Sequence, residues 1–149
     1  MKKESGLTLI ALVIIIVAIG MILYTGYNYA KEYMNNQKNE DRKAEMLAIQ
    51  TVITNIQNKH TVDEEQNALV GISLNLENNE SGYNITDEFK NSLQTQTNAI
   101  LYILTNEDLK KHGIENTNIN ENEFYVVDYN SGEIFYSLGL NGKYKLSEM

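Results

Sequence analysis

The chain contains no cysteine, no proline and no tryptophan among its 149 residues. Without cysteine there is no disulfide, no thiolate nucleophile and no sulfur-ligated metal. A domain built this way holds itself by apolar burial and hydrogen bonds alone. The missing proline leaves no fixed helix break anywhere. Basic residues are also scarce: Lys+Arg 12 against Asp+Glu 20 gives a net charge of -8 and a pI near 4.7. That balance repels phosphate backbones, so nucleic acid is not an expected partner. Glycine-rich phosphate loops and clusters of metal-ligand residues are missing as well, which leaves an enzymatic reading only scattered carboxylates. No catalytic residue, cofactor site or metal site is assigned.

What the sequence does have is one long apolar run. No charged residue occurs from Leu7 to Ala30, and 42% of the whole chain is hydrophobic. At about 1.5 Å of rise per residue, roughly 20 apolar residues match a hydrocarbon core of about 30 Å. The weak points are Thr8, whose hydroxyl can bond back to its own helix, and Gly20. Tyr24, Tyr27 and Tyr29 gather at the far end, as aromatic residues do at a membrane–water boundary. Lys2 and Lys3 precede the run, so the positive-inside bias places the N-terminus in the cytoplasm and the rest beyond the membrane. Membrane lipid is therefore an expected partner.

Three readings compete for this segment: a cleaved secretory signal, a plain signal anchor, and a leader cut before the apolar run. A secretory signal wants an apolar core of about 7–15 residues and small residues after it. Ala18-Ile19-Gly20 is only a fair cleavage site, and the apolar run continues past it. The order Lys2-Lys3-Glu4-Ser5-Gly6, then Leu7-Thr8-Leu9-Ile10-Ala11, resembles the leader and junction of the type IV pilin and type II secretion pseudopilin family. The resemblance covers the first third of the chain. It implies a leader over residues 1–6, cleavage between Gly6 and Leu7 by a prepilin peptidase, and methylation of the new N-terminus. It further implies assembly through the helix that Leu7, Thr8, Leu9, Ile10 and Ala11 begin, with other pilin-like subunits and an inner-membrane assembly platform as partners. Most family members carry glutamate where this chain has Ala11. That departure points either to a minor, tip-like subunit or to a lineage that dispenses with the carboxylate.

Residues 7–30 are read as the transmembrane and assembly helix and 31–60 as its amphipathic continuation. Met46, Ile49, Val52, Ile53 and Ile56, at spacings of three and four, form one apolar face for core packing. The charged stretch around Glu40, Asp41, Arg42 and Lys43 suits a solvated helix surface. One helix on the order of 75–80 Å follows. Residues 61–149 are read as an extracytoplasmic head. A short strand is expected in residues 70–76, a helix from Asp87 capped by Thr86, a buried run of undecided type over 99–104, and a short helix capped by Asn106 and closed by Gly113. Strands over 124–129, 133–138 and 143–146, with turns at Asn130-Ser131-Gly132 and Asn141-Gly142, predict a three-strand meander. Ile134, Tyr136, Leu138 and Leu140 should share one face, as should Tyr144 and Leu146. The fold class is α+β: a long N-terminal helix packed on a small C-terminal antiparallel β-meander.

The remaining motifs are bland. Asp128, Asn130 and Glu133 around Gly132 resemble part of a calcium loop, but a hairpin turn uses the same residue types. His60 and His112 have no triad-like context. Asn84-Ile85-Thr86 matches a glycosylation sequon, a frequent chance match in an asparagine-rich chain. Two functional classes stay open: a filament subunit, cleaved and polymerised, and a membrane-tethered extracytoplasmic binding module that works alone.

Overall fold

The computed structural model describes all residues except 1–3, 63–67, 79, 96, 116, 118 and 121, with side chains described from Ala11 onward. The protein is α+β. Its elements run α1 (Glu4–Val62), β1 (Ile72–Ser73), α2 (Asp87–Gln94), β2 (Leu101–Leu104), α3 (Asn106–Lys111), β3 (Tyr125–Asp128), β4 (Glu133–Leu140), β5 (Lys143–Lys145) and a closing 3-10 turn, Leu146–Glu148. The chain divides into two compact units, Met1–Glu40 and Asp41–Met149.

In the first unit α1 is an uninterrupted helix whose residues 11–38 are all exposed. Nothing in this stretch starts or stops a helix, and its residues favour or tolerate one. Thr25 satisfies its hydroxyl internally, donating to the carbonyls of Met21 at 2.9 Å and Ile22 at 3.1 Å. A methyl group added at Gly20 or Gly26 would meet nothing within 4 Å.

The second unit is organised by a five-stranded antiparallel sheet in simple order, β1-β2-β3-β4-β5. The expected meander of three strands is its C-terminal part. The apolar run over 99–104 joins it as β2, pairing Ile103 with Val126 and Tyr102 with Val127. β1 follows as the outer strand, Ile72 opposite Ile103. β-branched residues and a length of four decide strand over helix here, once a partner edge exists to accept the hydrogen bonds.

Both faces of the sheet are covered. One face packs Leu104, Tyr125, Val127, Ile134 and Tyr136 against Met46, Ile49 and Ile53 of α1 and Leu109 of α3. The other packs Leu101, Ile103, Phe124, Val126 and Phe135 against Phe89 and Leu93 of α2. Adjacent residues of β3 therefore serve opposite cores, which is why all four are buried. The Met46, Ile49 and Ile53 stripe is core, with Val52 and Ile56 at its margin.

Thr86 caps α2, accepting from the Phe89 amide as anticipated. In α3 the cap is Thr105, one residue earlier than Asn106. Its hydroxyl accepts from the Asp108 amide at 3.1 Å while Asp108 accepts from the Thr105 amide, a reciprocal pair that Asn106 has no equivalent acid to form. Gly113 follows the helix at φ +85°, the left-handed conformation glycine adopts without strain.

The expected face-sharing along β4 fails at Leu138, which is 60% exposed. The β4–β5 register shifts between Phe135 and Leu140, and Gly139 sits at φ +66° within the irregularity. A bulge of this kind resets the alternation, so Ile134, Tyr136 and Leu140 line the α1 core without Leu138. Tyr144 and Leu146 likewise part company. Tyr144 packs against Phe89 in the α2 core, whereas Leu146 lies in the α1 core because the chain leaves the strand at Lys145 and turns into the 3-10 helix.

Candidate functional site

Two features stand out, and each belongs to one unit. The first is the exposed apolar surface of α1. Within Ala11–Val62 an apolar window of mean hydropathy 2.0 is wholly unburied, and the helix is long and apolar enough to cross a membrane. Leu12, Ile14, Ile16, Met21, Ile22 and Leu23 all stand exposed. Fully burying one such side chain is worth about 1.5–3 kcal/mol, so a continuous run left in water is a large unmet driving force. Tyr24, Tyr27, Tyr29 and Tyr33 follow, exposed on several sides of the helix. Of the residues assigned to assembly, Ala11 is exposed. Gly6, Leu7, Thr8, Leu9 and Ile10 lie on the helical backbone of α1, with side chains outside the described set. Lys2 and Lys3 also lie outside the described residues.

The second feature is a polar cluster where residues 41–62 of α1 meet the sheet. Arg42 is its centre, and here the structure corrects the expectation of a solvated helix surface. The Arg42 and Glu45 side chains are only 13% and 12% exposed. Arg42 Nη1 donates to Glu45 Oε2 at 2.9 Å and to the Tyr125 hydroxyl at 3.2 Å, and Nη2 donates to Glu123 Oε2 at 3.0 Å. The guanidinium carbon lies 4.8 Å from the centre of the Tyr136 ring. The Tyr136 hydroxyl donates to the same Glu123 oxygen at 2.9 Å. A signal for this burial existed: Arg42, Glu45, Met46 and Ile49 follow the i, i+3, i+4, i+7 spacing of one face.

The electrostatics follow from burial. Desolvation raises the Glu45 pKa, against the pull of Tyr125 and Arg42, and the negative charge of Glu123 adds to the rise. Burial opposes the Arg42 charge too, yet its hydrogen bond to Tyr125 and the surrounding groups leave it above its ordinary value. Burial pushes the Tyr136 phenol up to about 12, assisted by its bond to Glu123, and raises Tyr125 as well.

Other polar groups tie the same unit together. Gln57 donates to the Tyr129 carbonyl at 2.6 Å, Gln50 to the Gly132 carbonyl at 3.2 Å, and Lys43 to the Met149 carbonyl oxygen at 2.6 Å. The Tyr129 hydroxyl accepts from the Val70 amide and donates to the Val70 carbonyl, and burial pushes its pKa up to about 12. These are structural pins.

The calcium-like residues form a turn. Asp128 is fully buried; its Oδ1 accepts from the Ile100 and Asn130 amides, both at 2.9 Å, and its Oδ2 from the Ser131 hydroxyl at 2.6 Å. Its oxygens are committed to holding the β3–β4 hairpin. His112 is exposed at the end of α3, and His60 lies half-buried in the last turn of α1. Asn84 is exposed in the loop before α2, where Thr86 serves as the cap. No group of three or more metal-ligating side chains occurs among the described residues. A groove of about 710 Å³ beside β1, lined by residues such as Ser73, Asn75, Gln94 and Ile100, offers Glu77 as its one charged group among the described residues.

No protein-family model, curated protein or solved structure matches the chain.

Proposed function

We propose that this chain is a membrane-anchored structural subunit of the type IV pilin-like class, working by assembly through its N-terminal helix and not as an enzyme. The observation that carries the reading is the wholly exposed apolar stretch of α1, in a chain whose second unit already has two cores of its own. A helical stretch that buries none of its apolar surface within its own chain serves lipid, other helices, or both in turn. The leader-like order ending in Gly6 and Leu7 selects the class. On this reading Lys2 and Lys3 face the cytoplasm, residues 31–149 lie outside it, and a prepilin peptidase cuts after Gly6. Other pilin-like subunits and a membrane assembly platform are the remaining partners. The machine served is a pilus, a secretion pseudopilus or a related filament.

Intact-mass measurement of the membrane-extracted protein tests this. The expected product starts at a methylated Leu7, and precursor accumulates when Gly6 is replaced by a bulky residue. A mature chain starting near Met21 removes the assignment, and one retaining Met1 beside an active prepilin peptidase favours a tethered binding module instead.

A further inference from the structure

One guanidinium serves two buried carboxylates in the joint between α1 and the sheet, and the two are not equally served. Glu123 is saturated: Oε2 accepts from Arg42 and from Tyr136, and Oε1 accepts from the Asn120 side-chain amide at 2.6 Å. Glu45 is not. Its Oε2 accepts from Arg42, but Oε1 is buried with no hydrogen-bond partner. The Tyr125 hydroxyl and Arg42 draw the Glu45 carboxyl toward its charged form, but desolvation is the larger influence and a second anion sharing the same cation adds to it.

The groups facing Glu45 leave one inexpensive remedy. From its own helix comes Arg42, already divided between partners; from the sheet side come Glu123, an anion, and the phenols Tyr125 and Tyr136. The Tyr125 oxygen receives Arg42 and stays protonated because burial holds its pKa high. A proton on Oε1 removes the unpaired charge, leaves the Arg42 bond to Oε2 in place and brings the cluster from one net negative charge to neutrality.

We propose that the joint between α1 and the sheet, where one guanidinium is shared by two carboxylates and the Glu45 Oε1 atom is buried without a hydrogen bond, is tighter in mild acid than at neutral pH, with Glu45 as the group that takes up the proton. The direction follows from linkage. Between the ordinary glutamate value of 4.5 and the higher folded value, the folded chain binds more protons than the unfolded chain, so stability falls as pH rises through that window. The contribution is complete below 4.5 and lost above the folded value. A subunit with this joint grips its helix more firmly when its surroundings acidify.

The test uses the full chain in detergent micelles, carbon-13 labelled at glutamate. The Glu45 carboxyl carbon, assigned through bonds, is followed against pH, together with the thermal midpoint of the wild type and of Glu45→Gln. The expected results are a Glu45 titration midpoint above 4.5 and a wild-type Tm that declines from that pH toward neutrality relative to Glu45→Gln. In Glu123→Gln the competing negative charge is gone and the Glu45 midpoint moves down. A Glu45 midpoint at or below 4.5 overturns the proposal, as does an identical Tm slope in Glu45→Gln. Where a variant fails to fold, the wild-type carboxyl titration decides by itself.

Discussion

Arg42 and Glu123 stand 81 positions apart in the chain, yet Nη2 of one lies 3.0 Å from Oε2 of the other in the core of the joint. This pair fastens residues 41–62 of α1 to the sheet through side chains only 13% and 10% exposed, where water screens the charge far less than at the surface. Removing the cation leaves two buried carboxylates facing each other. We expect Arg42→Ala to cost about 3 kcal/mol, read from the unfolding midpoint in denaturant. Arg42→Lys recovers little of this, because a single ammonium cannot bridge Glu45, Glu123 and Tyr125 with a planar fork.

Residues 41–149 contain both cores, and the unburied apolar run ends before Lys31. A fragment beginning at Lys31 is therefore expected to be soluble and monomeric and to unfold cooperatively, as followed by circular dichroism and light scattering. Aggregation, or a transition without cooperativity, shows that the second unit depends on the first.

The buried phenols predict alkaline unfolding. Tyr129 and Tyr136 ionise near 12 in the folded chain, whereas an unfolded tyrosine does so near 10. Their raised values contribute stability in full below the unfolded value and lose it as pH rises through the folded one, on the order of 2 kcal/mol for each phenol. Tyrosinate absorbance should rise together with loss of structure above about pH 10, ahead of any ionisation within the native fold. Tyr136→Phe removes part of this pH dependence.

Two glycines give a contrast. At Gly71, φ is +110° and an added Cβ would lie 2.5 Å from the Ile103 carbonyl oxygen, against the strand β1 must join. Gly71→Ala should cost more than about 2 kcal/mol, through backbone strain and a contact with backbone that has nowhere to go. Gly20→Ala meets nothing within the chain and should leave the thermal midpoint of the second unit unchanged. Parallel melting curves check both.

Ala11 bears on copy number. On the filament reading, a terminal amine held among helices needs an anion, and Ala11 cannot supply it. The cost recurs at every joint along a shaft and is absent at a tip, where no earlier subunit presents an amine. Quantitative mass spectrometry of sheared filaments is expected to find this chain at low stoichiometry. Abundance matching the most plentiful subunit refutes the minor role.

Much of the fold is legible in local chemistry. The charge-free run, the three-and-four spacing from Met46 to Ile56, the Thr86 cap and the two asparagine–glycine-type turns each act over a few residues, so reading them requires no partner. Where reading failed, a distant partner decided. Residues 99–104 carry no periodicity that separates strand from helix, and only the free edge of β3 settles them as β2. Leu138 alternates correctly in sequence, but the irregularity around Gly139 moves it to the surface.

The candidate segment and the joint divide the same way. The exposed apolar stretch of α1 was written in the sequence because hydropathy adds along a helix whatever surrounds it. The joint was not. Arg42 and Glu45 look like any charged pair on a solvated helix until Glu123, Tyr125 and Tyr136 close over them from the sheet. Composition and periodicity determined a long helix, an unpartnered apolar surface and an α+β class for this protein. Which charges lose their water was decided only by the tertiary contact, because desolvation is a property of what comes to cover a group.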